Sequence, residues 1–330
     1  MPRDVLRYGV ISTARIALTA HVPAARESAN SEIVAISSRD GAKAKQVAQE
    51  YGIPRWHGSY EELLADPEID AVINPLPNSM HYEWTVKAAE AGKHVLCEKP
   101  LAVTMEEARR MAAACEANGV VLVEAYTHRW NPHMRTARRL IAEGAIGQVV
   151  SLYSSLTTDP NRENNVRFVP ELGGGCLWDV GCYAVYACRF VMGAEPLRAL
   201  GFASDIGGYG VDTTFSGLLE FPGDATAQVM GSFEQLGKCE LAVIGTEGRI
   251  EIPNMFDDGG PLITRIGGEV RSEAVPAPNR YRAQLDEFSE CVLKGKAPEF
   301  PAEDALQITA ALLALYSAAE KGTVVEVEQV

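Results

Sequence analysis

Several things are scarce in this chain of 330 residues. The longest apolar run, Ile308–Tyr316, falls far short of the ~18 residues of a membrane span. The apolar stretch Tyr8–Ile11 is too short for the core of a secretory signal, and no twin-arginine leader is present, so neither is expected. Basic residues are outnumbered, 30 against 44 acidic, for a net charge of −14. A surface that acidic repels nucleic acid and anionic membranes, without excluding a local basic pocket for a phosphorylated ligand. The seven cysteines at 97, 115, 176, 182, 188, 239 and 291 form no CxxC pair, and their number is odd. Reduced thiols of a cytoplasmic protein are the expectation. Cys176, Cys182 and Cys188 recur every six residues, a step of about 240° on a helix, so they share no metal-binding face. No metal site is expected. His21, His57 and His133 have no evident partner and are read as surface or structural residues.

What is present is ordered in two parts. Hydrophobic residues make up 47% of the chain, enough for sizeable cores, and its length suits two domains of ~100–200 residues. Up to about residue 125, short apolar runs alternate with amphipathic ones. Strands are expected at Arg7–Ser12, Glu32–Ser38, Ala71–Asn74, His94–Cys97 and Val120–Ala125. Helices are expected at Ile16–Arg26 (with a break or late start at Pro23), Ala42–Tyr51, Tyr60–Ala65, Met80–Ala91 and Met105–Asn118. Apolar strands alternating with helices imply a Rossmann-like parallel sheet covered on both faces. After residue 126 and a helix at Pro132–Glu143, strand-like stretches dominate: Val149–Leu156, Leu197–Ala203, Thr213–Phe221, Ala225–Phe233, Lys238–Ile244, Arg249–Ile252 and Leu262–Gly267. Helical patterns recur only at Leu177–Met192, Tyr281–Leu293 and Leu306–Lys321. This reads as an α+β domain on a large, mostly antiparallel open-faced sheet, giving a dinucleotide-binding domain at 1–125 and a substrate-binding and oligomerisation domain at 126–330.

The turn after the first strand reads Gly9-Val10-Ile11-Ser12-Thr13-Ala14-Arg15-Ile16-Ala17 and lacks the G-x-G-x-x-G fingerprint. Small residues nonetheless occupy the relevant offsets, where a pyrophosphate approaches backbone N–H groups at a helix start. Ser12, Thr13, Ala14, Arg15 and Ile16 are therefore the expected phosphate contacts, although an ordinary strand-to-helix turn has the same look. The second strand ends in Ser37-Ser38-Arg39, where an Asp or Glu would bind the ribose 2′-hydroxyl of NAD. Two hydroxyls and a guanidinium suit a 2′-phosphate, which favours NADP over NAD.

The stretch from 74 to 100 holds Leu76-Pro77-Asn78 with His81, then Ala-Gly-Lys-His-Val-Leu-Cys before Glu98-Lys99-Pro100. With Glu124–Pro132, Pro170–Tyr183 and Asn279–Phe288, these motifs resemble the Gfo/Idh/MocA oxidoreductases over essentially the whole chain. Gly173–Tyr183 is similar to the branch of dihydrodiol dehydrogenases and NADP-dependent aldose (xylose) dehydrogenases; the inositol dehydrogenase branch carries His where Tyr183 stands. The resemblance implies that Leu76, Pro77, Asn78, His81, Glu98 and Lys99 lie at the cofactor.

The residues make chemical sense in that frame. Asp179 and Tyr183 are four apart and share a face if 177–192 is a helix. Lys99 follows a strand end, where parallel sheets bind ligands. Oxidising a carbinol moves a hydride to the nicotinamide and a proton to a base. Tyrosine, pKa ~10, becomes that base only beside a cation. Tyr183 is the expected acid/base group, and Lys99 orients the hydroxyl, tunes Tyr183 or carries the proton itself. Asp179 binds sugar hydroxyls or holds Lys99, and Pro100 fixes the turn after the lysine, a place for a cis bond. Arg129 is expected at the nicotinamide ribose or the substrate; Trp178 stacks on a sugar ring or the nicotinamide, or packs in the core; Tyr281 reaches the substrate. Arg162, Asn164, Asn165 and Arg167 form a polar loop at the pocket rim. The expected activity is NADP-dependent oxidation of an aldose at C1 to the lactone. A trans-dihydrodiol dehydrogenase, a keto-sugar reductase, an aldose–aldose oxidoreductase and a non-catalytic sugar or cofactor sensor are the alternatives. The expected partners are a sugar or polyol and, through the open sheet, further copies in a homodimer or homotetramer.

Overall fold

The computed structural model describes residues 4–256, 260–274 and 279–330. Contacts divide it into two compact units, one of Met1–Ala125 with Tyr281–Leu306, the other of Tyr126–Arg280 with Gln307–Val330. The division at 125/126 read from the sequence is thus revised at the C-terminal end, where residues 281–306 join the first unit.

The first unit runs β1 (Leu6–Val10), α1 (Val22–Glu27), β2 (Ser31–Ser37), α2 (Gly41–Glu50), β3 (Arg55–His57), α3 (Tyr60–Leu64), β4 (Ala71–Asn74), α4 (His81–Glu90), β5 (His94–Glu98), α5 (Met105–Ala117) and β6 (Leu122–Ala125). The strands form a parallel sheet in the order β3-β2-β1-β4-β5-β6. Its order reverses beside β1, between the first and second halves, which is where such sheets bind ligands. Strand side chains alternate between two cores. Val72 and Val95 enter one with Leu63, Trp84 and Met111. Ala71, Ile73 and Leu96 enter the other, where they meet Leu285 and Phe288. Those last two residues explain the revised division: their helix covers one face of the parallel sheet, and the buried Tyr8 hydroxyl bonds Ser289 at 2.8 Å.

Helix starts follow local chemistry. Asp40 accepts from the N–H groups of Ala42 (2.9 Å) and Lys43 (3.2 Å) at the head of α2, and Thr104 accepts from Glu107 at the head of α5. The segment expected as one helix at Ile16–Arg26 begins instead with a π turn at Ala17–His21, and α1 follows with Pro23 inside its first turn. Proline has no N–H, and its ring collides with the carbonyl four residues back in a regular helix, so the widened turn accommodates it.

The second unit contains α6 (Pro132–Ala142), β7 (Val149–Thr157), α7 (Cys182–Met192), β8 (Arg198–Ser204), β9 (Thr214–Glu220), β10 (Thr226–Ser232), β11 (Lys238–Gly245), β12 (Gly248–Ile252), β13 (Pro261–Ile266) and β14 (Glu269–Ala274). Helix α8 (Arg280–Lys294) belongs almost wholly to the first unit, α9 (Ala302–Lys321) begins there, and β15 (Val325–Glu326) ends the second. Its nine strands are ordered β14-β13-β12-β11-β7-β10-β9-β8-β15, antiparallel except for the β7–β10 pair. Alternation is clear in β9, where Phe215, Gly217 and Leu219 are buried while Ser216 and Leu218 face out. The buried face carries α7. The other face is open and apolar, with Phe202 69% and Leu218 46% exposed. Among the described residues, no helix is long and apolar enough to cross a membrane.

Candidate active site

In the first unit, the turn after β1 holds Ser12 at φ +94°, a left-handed conformation usually left to glycine. Its hydroxyl accepts the Ala14 N–H at 3.2 Å, a local bond that favours this turn. Thr13, Ala14 and Ile16 are half-buried here and Arg15 is exposed.

The end of β2 is more selective than its sequence. Ser37 was expected to offer a hydroxyl to phosphate; it is buried and donates instead to the Val10 carbonyl at 3.3 Å. Ser38 is also buried and accepts the Asp40 N–H. The Asp40 carboxylate caps α2. Arg39 is exposed, and its guanidinium reaches the buried Tyr60 hydroxyl. The donor set here fits a 2′-phosphate: an exposed guanidinium, with the nearby acid already engaged by a helix.

At the end of β5 the Lys99–Pro100 peptide is cis. His81 was expected against the cofactor. Its ring is buried, with Nδ1 2.8 Å from the Pro100 carbonyl and Nε2 2.8 Å from that of Leu76. It ties the Leu76-Pro77-Asn78 loop to the turn after Lys99. Burial outweighs those two carbonyls and holds the imidazole below its ordinary pKa. Glu98, the neighbour of Lys99, bonds His21 Nε2 at 2.8 Å. Burial would raise this carboxyl, but the His21 bond and the charges of His21 and Lys99 keep it low. Tyr281 packs edge-on against His21, with centroids 5.3 Å apart. His21 is therefore a site-neighbouring residue that sequence reasoning missed. It stands 77 positions from Glu98, and no local pattern connects them.

In the second unit, Asp179 and Tyr183 lie one turn apart, as the spacing predicts. The helix that carries them is not regular: a π turn at Leu177–Gly181 precedes α7. Such widened turns are frequent at functional sites. Close packing explains this one, because a Cβ on Gly231 of β10 would stand 2.8 Å from the Gly181 backbone. Helix and strand approach here at a distance only glycines allow.

Three side chains fix the start of this turn. The buried Asp212 carboxylate accepts from Leu177 N–H (2.8 Å), Tyr316 hydroxyl (2.7 Å) and Cys176 Sγ (3.0 Å). Its own carbonyl accepts the Cys176 N–H. Gly175 has φ +126°, and a side chain there would collide with this carboxylate.

Tyr183 is half-buried within a ring of aromatic edges: Phe256 at 4.9 Å, His128 at 5.2 Å and Tyr126 at 5.5 Å, all edge-on. His128 is fully buried, and desolvation together with Arg129 and Arg280 keeps it neutral. Asp179 receives Arg167 Nε at 2.5 Å. Arg167 holds its proton more tightly for it, chiefly through the Asp179 charge, and Tyr183 adds to the effect. Two further residues expected at the site are buried side chains. Arg129 is 1% exposed and donates to the Tyr186 hydroxyl at 3.0 Å. Trp178 is buried and packs on Tyr316 at 5.0 Å, which supports the core-packing alternative.

Residues 6–126 match the model of the oxidoreductase family with an NAD-binding Rossmann fold, and residues 134–251 match the GFO/IDH/MocA C-terminal domain. The chain belongs to the Gfo/Idh/MocA oxidoreductase family. A D-xylose 1-dehydrogenase (NADP(+)) of Haloferax volcanii is 38% identical over 98% of this chain and 100% of that protein. A trans-1,2-dihydrobenzene-1,2-diol dehydrogenase of Xenopus laevis is 34% identical over 88% of this chain and 90% of its own. Among solved structures, an aldose–aldose oxidoreductase of Caulobacter crescentus complexed with glycerol superposes with TM-score 0.91 at 31% identity, covering 98% of this chain and 99% of that one.

Proposed function

We propose that this oxidoreductase is an NADP-dependent aldose dehydrogenase that oxidises the C1 hydroxyl of an aldose to the lactone. The observation that carries the reading is the Tyr183–Asp179 pair on one helical turn, with a guanidinium bonded to Asp179. The name of the Haloferax relative, a D-xylose dehydrogenase using NADP(+), supports both halves of it.

Bound NADP supplies the acceptor for the hydride lost from C1. Arg39 takes its 2′-phosphate, and the turn Ser12–Ile16 its pyrophosphate. Tyr183 accepts the proton of the C1 hydroxyl and passes it to water. A phenol does this at neutral pH only when a cation favours its ionised form, and Lys99 is the cation assigned that role. Lys99 also donates to the substrate oxygen and so sets the hydroxyl for attack. Asp179 accepts from sugar hydroxyls. The apolar edges of Tyr126, His128 and Phe256 limit water around the Tyr183 ring, which strengthens those charges.

The open sheet face, where Tyr153, Leu200, Phe202, Leu218 and Met230 cluster, serves a homodimer or homotetramer. Seven buried, unbridged thiols suit work in the cytoplasm. The test is reduction of NADP across aldoses, inositol and dihydrodiols. Turnover of aldoses is expected; turnover of dihydrodiols alone contradicts the reading, and none in either direction favours a sensor.

A further inference from the structure

Arg167 is unlike the other arginines of the second unit. The polar loop after β7 brings it up, and the glycine segment locks it in place. Asn165 Oδ1 accepts its backbone N–H at 3.1 Å, and its own carbonyl accepts the Gly175 N–H at 3.0 Å. Its backbone is thus fastened to the segment that leads into Asp179. The guanidinium then spends Nε on Asp179 at 2.5 Å and Nη1 on Asn165 Oδ1 at 3.4 Å. Nη2 has no hydrogen-bond partner among the described residues. The side chain is 41% exposed while Asp179 is 17% exposed, so the guanidinium is held by Nε and Nη1 but not enclosed. A guanidinium held in this way is a preorganised donor: its planar geometry is already fixed before anything binds.

We propose that Arg167 is a specificity-determining residue, whose free Nη2 donates to a hydroxyl of an uncharged sugar away from the reacting carbon. This rests on the aldose dehydrogenase reading above. Two features choose the ligand class. The Arg167–Asp179 pair carries no net charge, so it gives an anionic sugar no preference over a neutral one. A bound sugar covers Nη2 from water, so one lacking that hydroxyl leaves the donor without a partner and is rejected by more than the loss of one contact. The same pairing positions Asp179, whose carboxylate cannot swing while Nε holds it.

The test is a cycle of steady-state kinetics with NADP. Wild type, Arg167→Lys and Arg167→Met are compared on D-xylose, on pentoses each lacking one hydroxyl, and on a uronic acid. Arg167→Met is expected to raise KM for xylose about 10–100-fold, the worth of one charge-assisted hydrogen bond. The KM for NADP should stay unchanged, and Arg167→Lys should recover part of the loss. One deoxy pentose should be a poor substrate of wild type and indifferent to the substitution. Equal penalties on xylose and on every deoxy sugar, or a loss confined to kcat, would assign Arg167 a purely structural role and overturn the proposal. A uronic acid preferred tenfold by wild type and not by Arg167→Met would also overturn it. Should wild type oxidise none of the sugars, calorimetric titration with xylose separates the cases. Binding lost in Arg167→Met sustains the proposal without the activity; no binding by wild type overturns both.

Discussion

Replacing Asp212 by alanine removes the acceptor on which the start of the Asp179–Tyr183 turn depends. In the native chain this carboxylate takes hydrogen bonds from Leu177 N–H, the Tyr316 hydroxyl and the Cys176 thiol, all in a buried setting. Alanine leaves the first two as unsatisfied buried donors at ~1–3 kcal/mol each, and the thiol adds little. The expected loss is roughly 2–6 kcal/mol. For domains of about 150–250 residues each kcal/mol moves Tm by about 2–4 °C, so a fall of roughly 5–20 °C is expected. Tyr316→Phe removes one hydroxyl and should cost the smaller share.

Asn at the same position is informative through pH. Burial holds the Asp212 carboxyl above its ordinary value of 3.8, against the bonds from Cys176, Leu177 and Tyr316. Folding therefore favours its protonated form. That contribution is whole below the unfolded value and is lost as pH rises through the folded one. Asn has no such titration, so the stability gap between wild type and Asp212→Asn should be widest near pH 4 and narrow toward neutrality. Thermal melts followed by circular dichroism at a series of pH values read both effects. A Tm of Asp212→Ala within about 2 °C of wild type, or a gap that widens as pH rises, would refute the reasoning.

Other expectations follow from the same geometry. Tyr183→Phe should lower kcat at least ~100-fold without shifting Tm by more than a few degrees, since the ring and its aromatic neighbours remain. Arg39→Ala should weaken NADP by about 10–100-fold and leave NAD nearly unchanged, measured as KM for each cofactor; equal losses for both would remove the 2′-phosphate assignment. Ser12→Gly relieves a left-handed backbone at the expense of one local hydrogen bond, and should raise stability by up to about 1 kcal/mol. A lower Tm would show that the Ser12–Ala14 bond dominates. Phe202→Glu with Leu218→Lys should shift the molar mass from light scattering toward the monomer with kcat retained; an unchanged mass would move the interface elsewhere.

Much of the fold was legible because burial writes periodicity into the chain. Ala71–Asn74 is apolar on both faces and reads as a central parallel strand, whereas Thr213–Phe221 alternates and reads as half-covered. The strands missed at Arg55–His57, Glu269–Ala274 and Val325–Glu326 are short or exposed edges. Their pairing depends on a neighbour, not on their own side chains. The π turns were illegible as well, because they answer to Pro23 and to the Gly181–Gly231 approach.

The site divides along the same line. Lys99, Asp179 and Tyr183 stand in contiguous motifs. What surrounds them does not: His21 meets Glu98 across 77 positions, and Tyr316 meets Asp212 across 104. Ser37 and His81 are polar residues whose side chains bond carbonyls of their own domain, which is where most buried side-chain hydrogen bonds go.

The central claim, aldose oxidation at C1 with a tyrosine base, is tested most directly by wild type and Tyr183→Phe side by side with NADP and D-xylose, followed at the nicotinamide absorbance with the lactone trapped as product. The account predicts NADPH and lactone formed in equal amounts by wild type and a rate at least ~100-fold lower in the variant. NADPH formed by both at similar rates, or none by wild type with any aldose, would contradict it.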